Sequence, residues 1–234
     1  MRQIILDTET TGLDPTLGHR IVELAAVEVV NRRITDQYFQ RYLNPERTID
    51  AGAKQVHGLT ENFLSDKPTF DLIVDEFLSF ISDSELIIHN APFDVSFLNH
   101  ELDMCSRANL ESYVVNVEDS LSMAKQLHPG KRNSLDALCD RYKVNNSSRT
   151  LHGALLDSRL LAECYLAMTR GQESLLIAES EVFINGLATP SELKKYKTLV
   201  LKANAEELAS HQRYIEEMAT DGQKPPLWAT FSGE

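Results

Sequence analysis

The first 170 residues alternate between short runs of β-branched residues and segments with helical periodicity, which limits the possible folds more than any other feature. Strands are predicted at Gln3–Leu6, Ile21–Val30, Ile34–Leu43, Leu86–Ile88 and Val114–Val117, with a hairpin turn at Asn31–Arg33. Helices are predicted at Phe70–Ile81, from near Pro92, and at Ser134–Tyr142 and Gly153–Met168. This pattern is typical of a layered α/β domain that ends near residue 170.

Length and composition exclude several classes of protein. The 234 residues suffice for one sizeable domain and an appendage. No apolar run approaches the roughly 18 residues of a membrane-spanning helix, and the first residues lack signal-peptide architecture, so we expect a cytoplasmic protein without membrane contact. The three cysteines form no CxxC pair and are expected to be reduced thiols.

The net charge of −12 makes the chain a poor non-specific binder of nucleic acid. A nuclease remains possible if its acids bind metal ions, because the ions then supply the positive charge. Such a protein would bind DNA weakly by itself. We therefore expect it to need partners that deliver the substrate.

Acidic residues occur in three places where burial is predicted. Asp7 and Glu9 follow the first strand, and their spacing puts them on one face of an extended chain. Asp94 follows the fourth predicted strand, and Asp157 lies on the inward stripe of the last helix of the domain. Each acid alone also fits a solvated strand end or a helix N-terminus. A buried carboxylate needs a partner, however, and Mg²⁺ or Mn²⁺ would serve.

Histidines are the other candidates for chemistry. His152 precedes Asp157 by five residues, which favours a role as a proton carrier over the structural role that a lone histidine usually has. The other candidate is His57, which either holds a nucleotide or forms part of a turn. Surface positions are expected for His19, His100, His128 and His211.

Together these residues resemble the DEDD exonuclease superfamily in its His-containing branch. Asp7 and Glu9 match the first motif, Asp94 the second, and His152 with Asp157 the third. The resemblance implies a ribonuclease-H-like exonuclease fold, in which helices flank a central mixed sheet. It also implies that the four acids bind two divalent cations, Mg²⁺ or Mn²⁺, and that His152 is the general base.

A closer resemblance, to the epsilon-subunit family of bacterial DNA polymerase III, extends along nearly the whole chain. It is carried by Val27–Arg33, Pro129–Cys139 and Thr150–Asp157. This resemblance implies a proofreading 3′→5′ exonuclease that acts on single-stranded or frayed 3′ ends of DNA. Substrate contacts are then expected from Asp7, Glu9, His57 and Asp157.

One position departs from the family pattern. Relatives often carry a glutamate four residues before the Val56-His57-Gly58 motif, and this glutamate contacts the terminal nucleotide. This chain has Gly52 at that position. The carboxylate contact is therefore missing here, whereas His57 is retained.

The sequence predicts three regions: an exonuclease domain at 1–170, a linker at 171–188 and a helical tail at 189–234. Helix-start patterns at Thr189–Glu192 and near Asn204 define the tail, which is too small to bury its own core. By resemblance, the tail binds the catalytic alpha subunit of the polymerase, and a small theta subunit is a possible accessory. Gln172–Ile177 is similar to sliding-clamp-binding peptides, although an ordinary linker with an apolar patch also fits.

Two other functions stay open at this point. An RNA-trimming enzyme such as oligoribonuclease or ribonuclease T would share the acids and His152, but it would not need the linker and tail. A non-catalytic scaffold of the polymerase would need the tail, but it would have no use for clustered acids beside a histidine.

Overall fold

The computed structural model describes residues 1–147, 149–170 and 203–221. Within these ranges five strands form a sheet of order β3-β2-β1-β4-β5. The strands are β1 (Arg2–Thr10), β2 (Ile21–Val30), β3 (Arg33–Tyr42), β4 (Glu85–Ile88) and β5 (Asn116–Asp119). The pairs β1–β2 and β2–β3 are antiparallel, whereas β4 is parallel to both β1 and β5. The mixed sheet confirms the predicted fold class.

The helices lie between and after the strands. They are α1 (Ala51–His57), α2 (Glu61–Leu64), α3 (Phe70–Ile81), α4 (Ala91–Met104), α5 (Ser120–Leu127), α6 (Leu135–Tyr142), α7 (Ala154–Met168) and α8 (Ala205–Asp221). Short 3₁₀ turns occur at Pro15–Leu17 and Leu110–Ser112. None of the helices in the described ranges is long and apolar enough to span a membrane.

Alternating residues of β1 contribute to two apolar cores. Ile4 and Leu6 belong to the core that contains Phe77 of α3 and Phe97 of α4. Ile5 belongs to the other core, with residues of α6 and α7. Because side chains alternate along a strand, Asp7 and Glu9 continue the row of Ile5 toward α7.

Several predicted boundaries shift. The first strand continues through Thr10, so Asp7 and Glu9 lie on β1 instead of following it. The prediction of a strand at Val114–Val117 is wrong by about two residues, because parallel pairing begins with Glu85 opposite Asn116. The predicted hairpin is confirmed, with Asn31 and Arg32 at positive φ values of 48° and 62°, which suit a two-residue turn between twisted strands.

The second predicted tail helix is confirmed as α8. Asn204 Oδ1 accepts hydrogen bonds from the backbone N–H groups of Glu206 (3.0 Å) and Glu207 (2.9 Å). The Glu207 carboxylate accepts the N–H of Asn204 in return (2.9 Å), which completes a capping box. The linker, the clamp-like peptide Gln172–Ile177 and the helix predicted from Thr189 lie outside the described residues.

A buried ion pair fixes the connection between β1 and β2 above α4. Arg20 donates from Nε to Oε1 of Glu101 (2.8 Å) and from Nη2 to Oε2 (2.7 Å). Glu101 is 1% exposed and also accepts the backbone N–H of Ile21 (3.2 Å). The pair therefore holds the loop that leads away from the carboxylates of β1.

Arg20→Met should lower the free energy of unfolding by about 3–5 kcal/mol, because it leaves the carboxylate of Glu101 buried and uncompensated. The measurement is chemical denaturation followed by circular dichroism. Arg107→Met is the matched control, since it breaks an exposed pair with Asp75 (2.7 Å) and should cost about 1 kcal/mol or less. Equal losses in the two variants would contradict this account of the loop.

Candidate active site

The predicted site residues converge on one cleft at the carboxyl ends of β1 and β4. The cleft has a volume of about 800 Å³ and is lined by all six of them: Asp7, Glu9, His57, Asp94, His152 and Asp157. Four separate segments of the sequence thus meet at one edge of the sheet, as expected for an α/β domain whose ligand lies beyond its strand ends.

Three elements position the four carboxylates. β1 carries Asp7 and Glu9, and the first turns of α4 and α7 carry Asp94 and Asp157. Asp94 is 3% exposed and accepts a hydrogen bond from Oγ1 of Thr8 (2.7 Å), which ties α4 to β1. Asp157 is 4% exposed. The carboxylates therefore lie in a largely buried wall of the cleft.

The crowded carboxylates have strongly perturbed pKa values. Burial raises the pKa of Glu9 to about 8, with smaller contributions from the charges of Asp157 and Glu23. Burial, followed by the charge of Asp94, raises the pKa of Asp7 well above its ordinary range. Burial also raises the pKa of Asp94 to about 7, although the hydrogen bond from Thr8 opposes this shift. The cluster therefore carries more negative than positive charge, and divalent cations would balance it.

These shifts predict that stability depends on pH when a chelator is present. The folded pKa values of Glu9 and Asp94 exceed their ordinary values of 4.5 and 3.8, so the folded chain binds more protons. The free energy of unfolding should therefore fall as the pH rises from about 6 to about 8, by about 1.4 kcal/mol per unit for each proton. Denaturation curves across this range measure the slope.

Two comparisons isolate the origin of that slope. Glu9→Gln removes one titrating group and should make the slope shallower. Saturating Mn²⁺ should flatten it further, because the cation replaces the protons. A wild-type slope of the opposite sign would show that the acids are not the groups responsible.

Arg149 is the partner of Asp157, and the sequence analysis missed it. It donates from Nε to Oδ1 of Asp157 (2.6 Å) and from Nη2 to Oδ2 (2.7 Å). Its Nη1 donates to Asp136 of α6 (2.7 Å). These bonds raise the pKa of the guanidinium. The buried carboxylate of Asp157 therefore has a partner, as the sequence analysis required. The partner in this structure is the guanidinium of Arg149, whereas the sequence had suggested a metal ion.

His152 lies at the mouth of the cleft, just before α7. Its backbone N–H donates to the carbonyl oxygen of Val56 (3.0 Å), which anchors it to the end of α1. Its side chain is 48% exposed, and Nδ1 lies 3.5 Å from Oδ2 of Asp157. Ligand atoms of Glu9, His152 and Asp157 all lie within 4.8 Å of one another, an arrangement that can hold a metal ion.

His57 is buried in the wall of the cleft, at 5% exposure. Its Nδ1 accepts the backbone N–H of Leu59 (3.0 Å), so the neutral ring carries its proton on Nε2. Burial lowers the pKa of His57 and keeps the ring neutral. Among the described residues, the buried Nε2 has no hydrogen-bond partner of good geometry, although the backbone of Thr10 lies near enough to oppose the fall in pKa. Gly52 also lines the cleft, and a Cβ there would meet nothing within 4 Å.

Glu23 is a second buried residue that the sequence analysis missed. It lies opposite Glu9 in the β1–β2 register and is 2% exposed. One oxygen accepts from Nε2 of Gln40 (2.7 Å), and the other accepts the N–H of Ala154 at the start of α7 (3.1 Å). Glu23 therefore fixes the helix that carries Asp157.

The prediction that His19 is a surface residue is wrong. It is 8% exposed, because its ring packs against Gly12. Its Nδ1 lies 3.0 Å from Oγ1 of Thr11. A Cβ at Gly12 would lie 2.3 Å from the ring, so this close approach requires glycine. Of the other histidines, His100 and His128 are partly exposed and His211 is exposed.

The sheet, the acid cluster and the neighbouring histidine are those of an exonuclease. The sequence profile of the exonuclease family matches residues 4–165. Among solved structures, exonuclease X in complex with 5′-overhanging duplex DNA aligns with a TM-score of 0.58 at 25% identity. The alignment covers 73% of this chain and 92% of that one.

Closer relatives are similar along nearly the whole chain. It is 50% identical over 219 residues to the DNA polymerase III subunit epsilon of Rickettsia felis, covering 92% of this chain and 96% of the relative. It is 48% identical over 224 residues to the subunit of that name from Escherichia coli, covering 92% of each. The chain therefore belongs to the DNA polymerase III epsilon-subunit family, whose exonuclease domain uses divalent cations.

Proposed function

We propose that the chain removes 3′-terminal nucleotides one at a time from single-stranded or frayed DNA ends, as the proofreading subunit of a bacterial DNA polymerase III. The observation that carries this proposal is the convergence of four acids and His152 on one cleft. Membership in the epsilon family supports the DNA substrate and the polymerase partner. The protein would act during replication, in the cytoplasm.

Asp7, Glu9, Asp94 and Asp157 would hold two divalent cations, Mg²⁺ or Mn²⁺. The charge deficit of the cleft supports this fit, because burial and mutual repulsion raise the pKa values of three of these carboxyl groups. Hard cations prefer such oxygen ligands. When bound, such ions make water more acidic and neutralise the charge that develops on the leaving oxygen.

His152 would act as the general base. Water would attack the terminal phosphodiester, a new P–O bond would form, and the bond to the 3′ oxygen of the preceding nucleotide would break. The imidazole would accept the proton of the water. The half-exposed ring beside Glu9 and Asp157 supports this role, and the ordinary histidine pKa of about 6.5 suits neutral pH.

Binding of the terminal nucleotide would involve Asp7, Glu9, Asp157 and His57. The Nε2–H of His57 would donate to the nucleotide, which satisfies a buried donor that is otherwise unpaired. Selection of mismatched ends needs no reading of bases, because a mispaired end unpairs more easily and only an unpaired strand would enter the cleft.

The other regions would bring the enzyme to its substrate. We assign 1–170 to catalysis, 171–188 to a linker with the clamp-binding peptide Gln172–Ile177, and 189–234 to binding the alpha subunit, with theta as a possible further partner. Exposed Leu208 and Tyr214 on α8 support the assignment of the tail. Tethering raises the local concentration of enzyme at the primer end, which offsets weak binding of DNA by an acidic chain.

A pull-down with the alpha subunit tests the tail. The full chain should capture the alpha subunit, and residues 1–170 should not. Leu208→Asp should weaken capture at least about tenfold, since it places a charge in an apolar contact. Ser210→Asp, an exposed position on the same helix, is the matched control and should bind normally. Capture by residues 1–170 would refute the assignment of the tail.

The experiment for the whole proposal compares a 3′-mismatched DNA primer with an RNA primer of the same sequence, each 5′-labelled. We expect shortening of DNA in single-nucleotide steps, faster than that of RNA and stopped by a chelator. A preference for RNA would favour an RNA-trimming enzyme. Cleavage of neither primer would favour the scaffold role.

A further inference from the structure

The side chain of Arg149 lines the cleft and is only 7% exposed. Its two bonds to Asp157, at 2.6 and 2.7 Å, engage both oxygens of that carboxylate. A third bond, from Nη1 to Asp136 at 2.7 Å, ties the guanidinium to α6. Arg149 is therefore held by acids on two different helices.

The same guanidinium also contacts the proposed base. Its Nη2 lies 3.0 Å from Nδ1 of His152, at hydrogen-bond distance. An imidazole nitrogen that accepts this bond cannot at the same time accept a proton from water. In this arrangement Arg149 occupies one nitrogen of His152 and engages both oxygens of Asp157.

This arrangement competes with binding of a cation by Asp157. Ligand atoms of Glu9 and Asp157 lie close enough to share an ion, and such an ion competes with the guanidinium for the oxygens of Asp157. Among the described residues that line the cleft, Arg149 is the one arginine, and no lysine accompanies it. Once displaced, its guanidinium is available to pair with a phosphate that enters the cleft.

We propose that Arg149 is an exchangeable counter-ion of the active site. In the cation-free enzyme it pairs with Asp157 and His152, and when divalent cations bind it transfers to a non-bridging oxygen of the terminal phosphodiester. A guanidinium suits both partners, because its planar donors match carboxylate and phosphate alike. Asp136 keeps the side chain at the wall of the cleft during the exchange. This inference rests on the proposed function.

Metal affinity and cleavage should therefore change in opposite directions when Arg149 is replaced. For Arg149→Met, calorimetric titration with Mn²⁺ alone should give about tenfold tighter binding, since charge-assisted hydrogen bonds no longer have to break. Cleavage of single-stranded DNA at saturating Mn²⁺ should fall about 10²-fold in kcat, because a donor to the developing charge is lost. A residue with a merely structural role would weaken both properties together.

Further variants keep the test decisive. Arg149→Lys retains the charge, so it should bind Mn²⁺ more tightly than the wild type and less tightly than Arg149→Met. It tests the inference even if Arg149→Met folds poorly. Arg107→Met removes a surface arginine paired with Asp75 and should change neither property. Unchanged or weaker Mn²⁺ binding by both Arg149 variants would overturn the inference.

Asp157→Asn distinguishes failure of the inference from failure of the proposed function. It should weaken Mn²⁺ binding strongly. If it does so while the Arg149 variants bind like the wild type, the metal site stands and only the exchange fails. If Asp157→Asn binds Mn²⁺ normally, the proposed metal site itself is wrong.

Discussion

Asp7→Asn should lower the rate of DNA cleavage by about 10³-fold or more while the chain stays folded. The substitution removes a proposed metal ligand from β1 and keeps the shape of the side chain. The rate should fall this far because a lost metal ligand removes a main source of charge stabilisation in the transition state. Single-turnover cleavage of 5′-labelled single-stranded DNA with saturating Mn²⁺ measures it.

The same variant should be more stable than the wild type when a chelator is present. Burial and the charge of Asp94 raise the pKa of Asp7, so the ionised carboxylate opposes folding at neutral pH. A neutral amide removes this repulsion, and thermal unfolding at pH 8 should show a higher Tm. Asp36→Asn, an exposed acid on β3, should change neither rate nor Tm. Wild-type cleavage by Asp7→Asn would refute the assignment of Asp7 as a metal ligand.

His152→Gln should lower kcat by about 10²–10⁴-fold, the usual contribution of a general base. The ring is half exposed, so the free energy of unfolding should change little. Binding of Mn²⁺ should be largely retained, because the carboxylates remain. Rates under single-turnover conditions and calorimetry with Mn²⁺ separate the two properties.

His100→Gln provides the control for that experiment, since this histidine is partly exposed on α4 and does not line the cleft. It should cleave DNA at the wild-type rate. If His152→Gln also retained the wild-type kcat, another group would have to accept the proton, and His152 would be left with a role in binding at most.

The acids of the site were predictable because each one interrupts or directly follows a periodic pattern of apolar residues, where a buried side chain is expected. Asp7 and Glu9 follow the buried run of β1, and Asp157 lies on the inward stripe of α7. The end of β1 was not predictable, because its last residues are polar and their burial depends on packing against other elements. Helix α1 was missed for a related reason: it has only seven residues, and one of them is Gly52.

Partners that meet only in the folded chain left no trace in the sequence pattern. Glu23 caps α7 through the N–H of Ala154, 131 positions away. Arg149 lies in irregular chain between α6 and α7, where no periodicity indicates which way a side chain points. His19 is buried by contacts with Gly12 and Thr11. These residues complete the charge balance and rigidity of the site, and three-dimensional contacts were needed to find them.

Anomalous diffraction from crystals soaked in Mn²⁺ tests the central claim most directly. The account predicts two peaks about 3.5–4 Å apart, coordinated by Asp7, Glu9, Asp94 and Asp157, with Arg149 withdrawn from Asp157. Peaks elsewhere on the protein, with Arg149 still bound to Asp157, would contradict the claim that this cleft is a metal-dependent nuclease site.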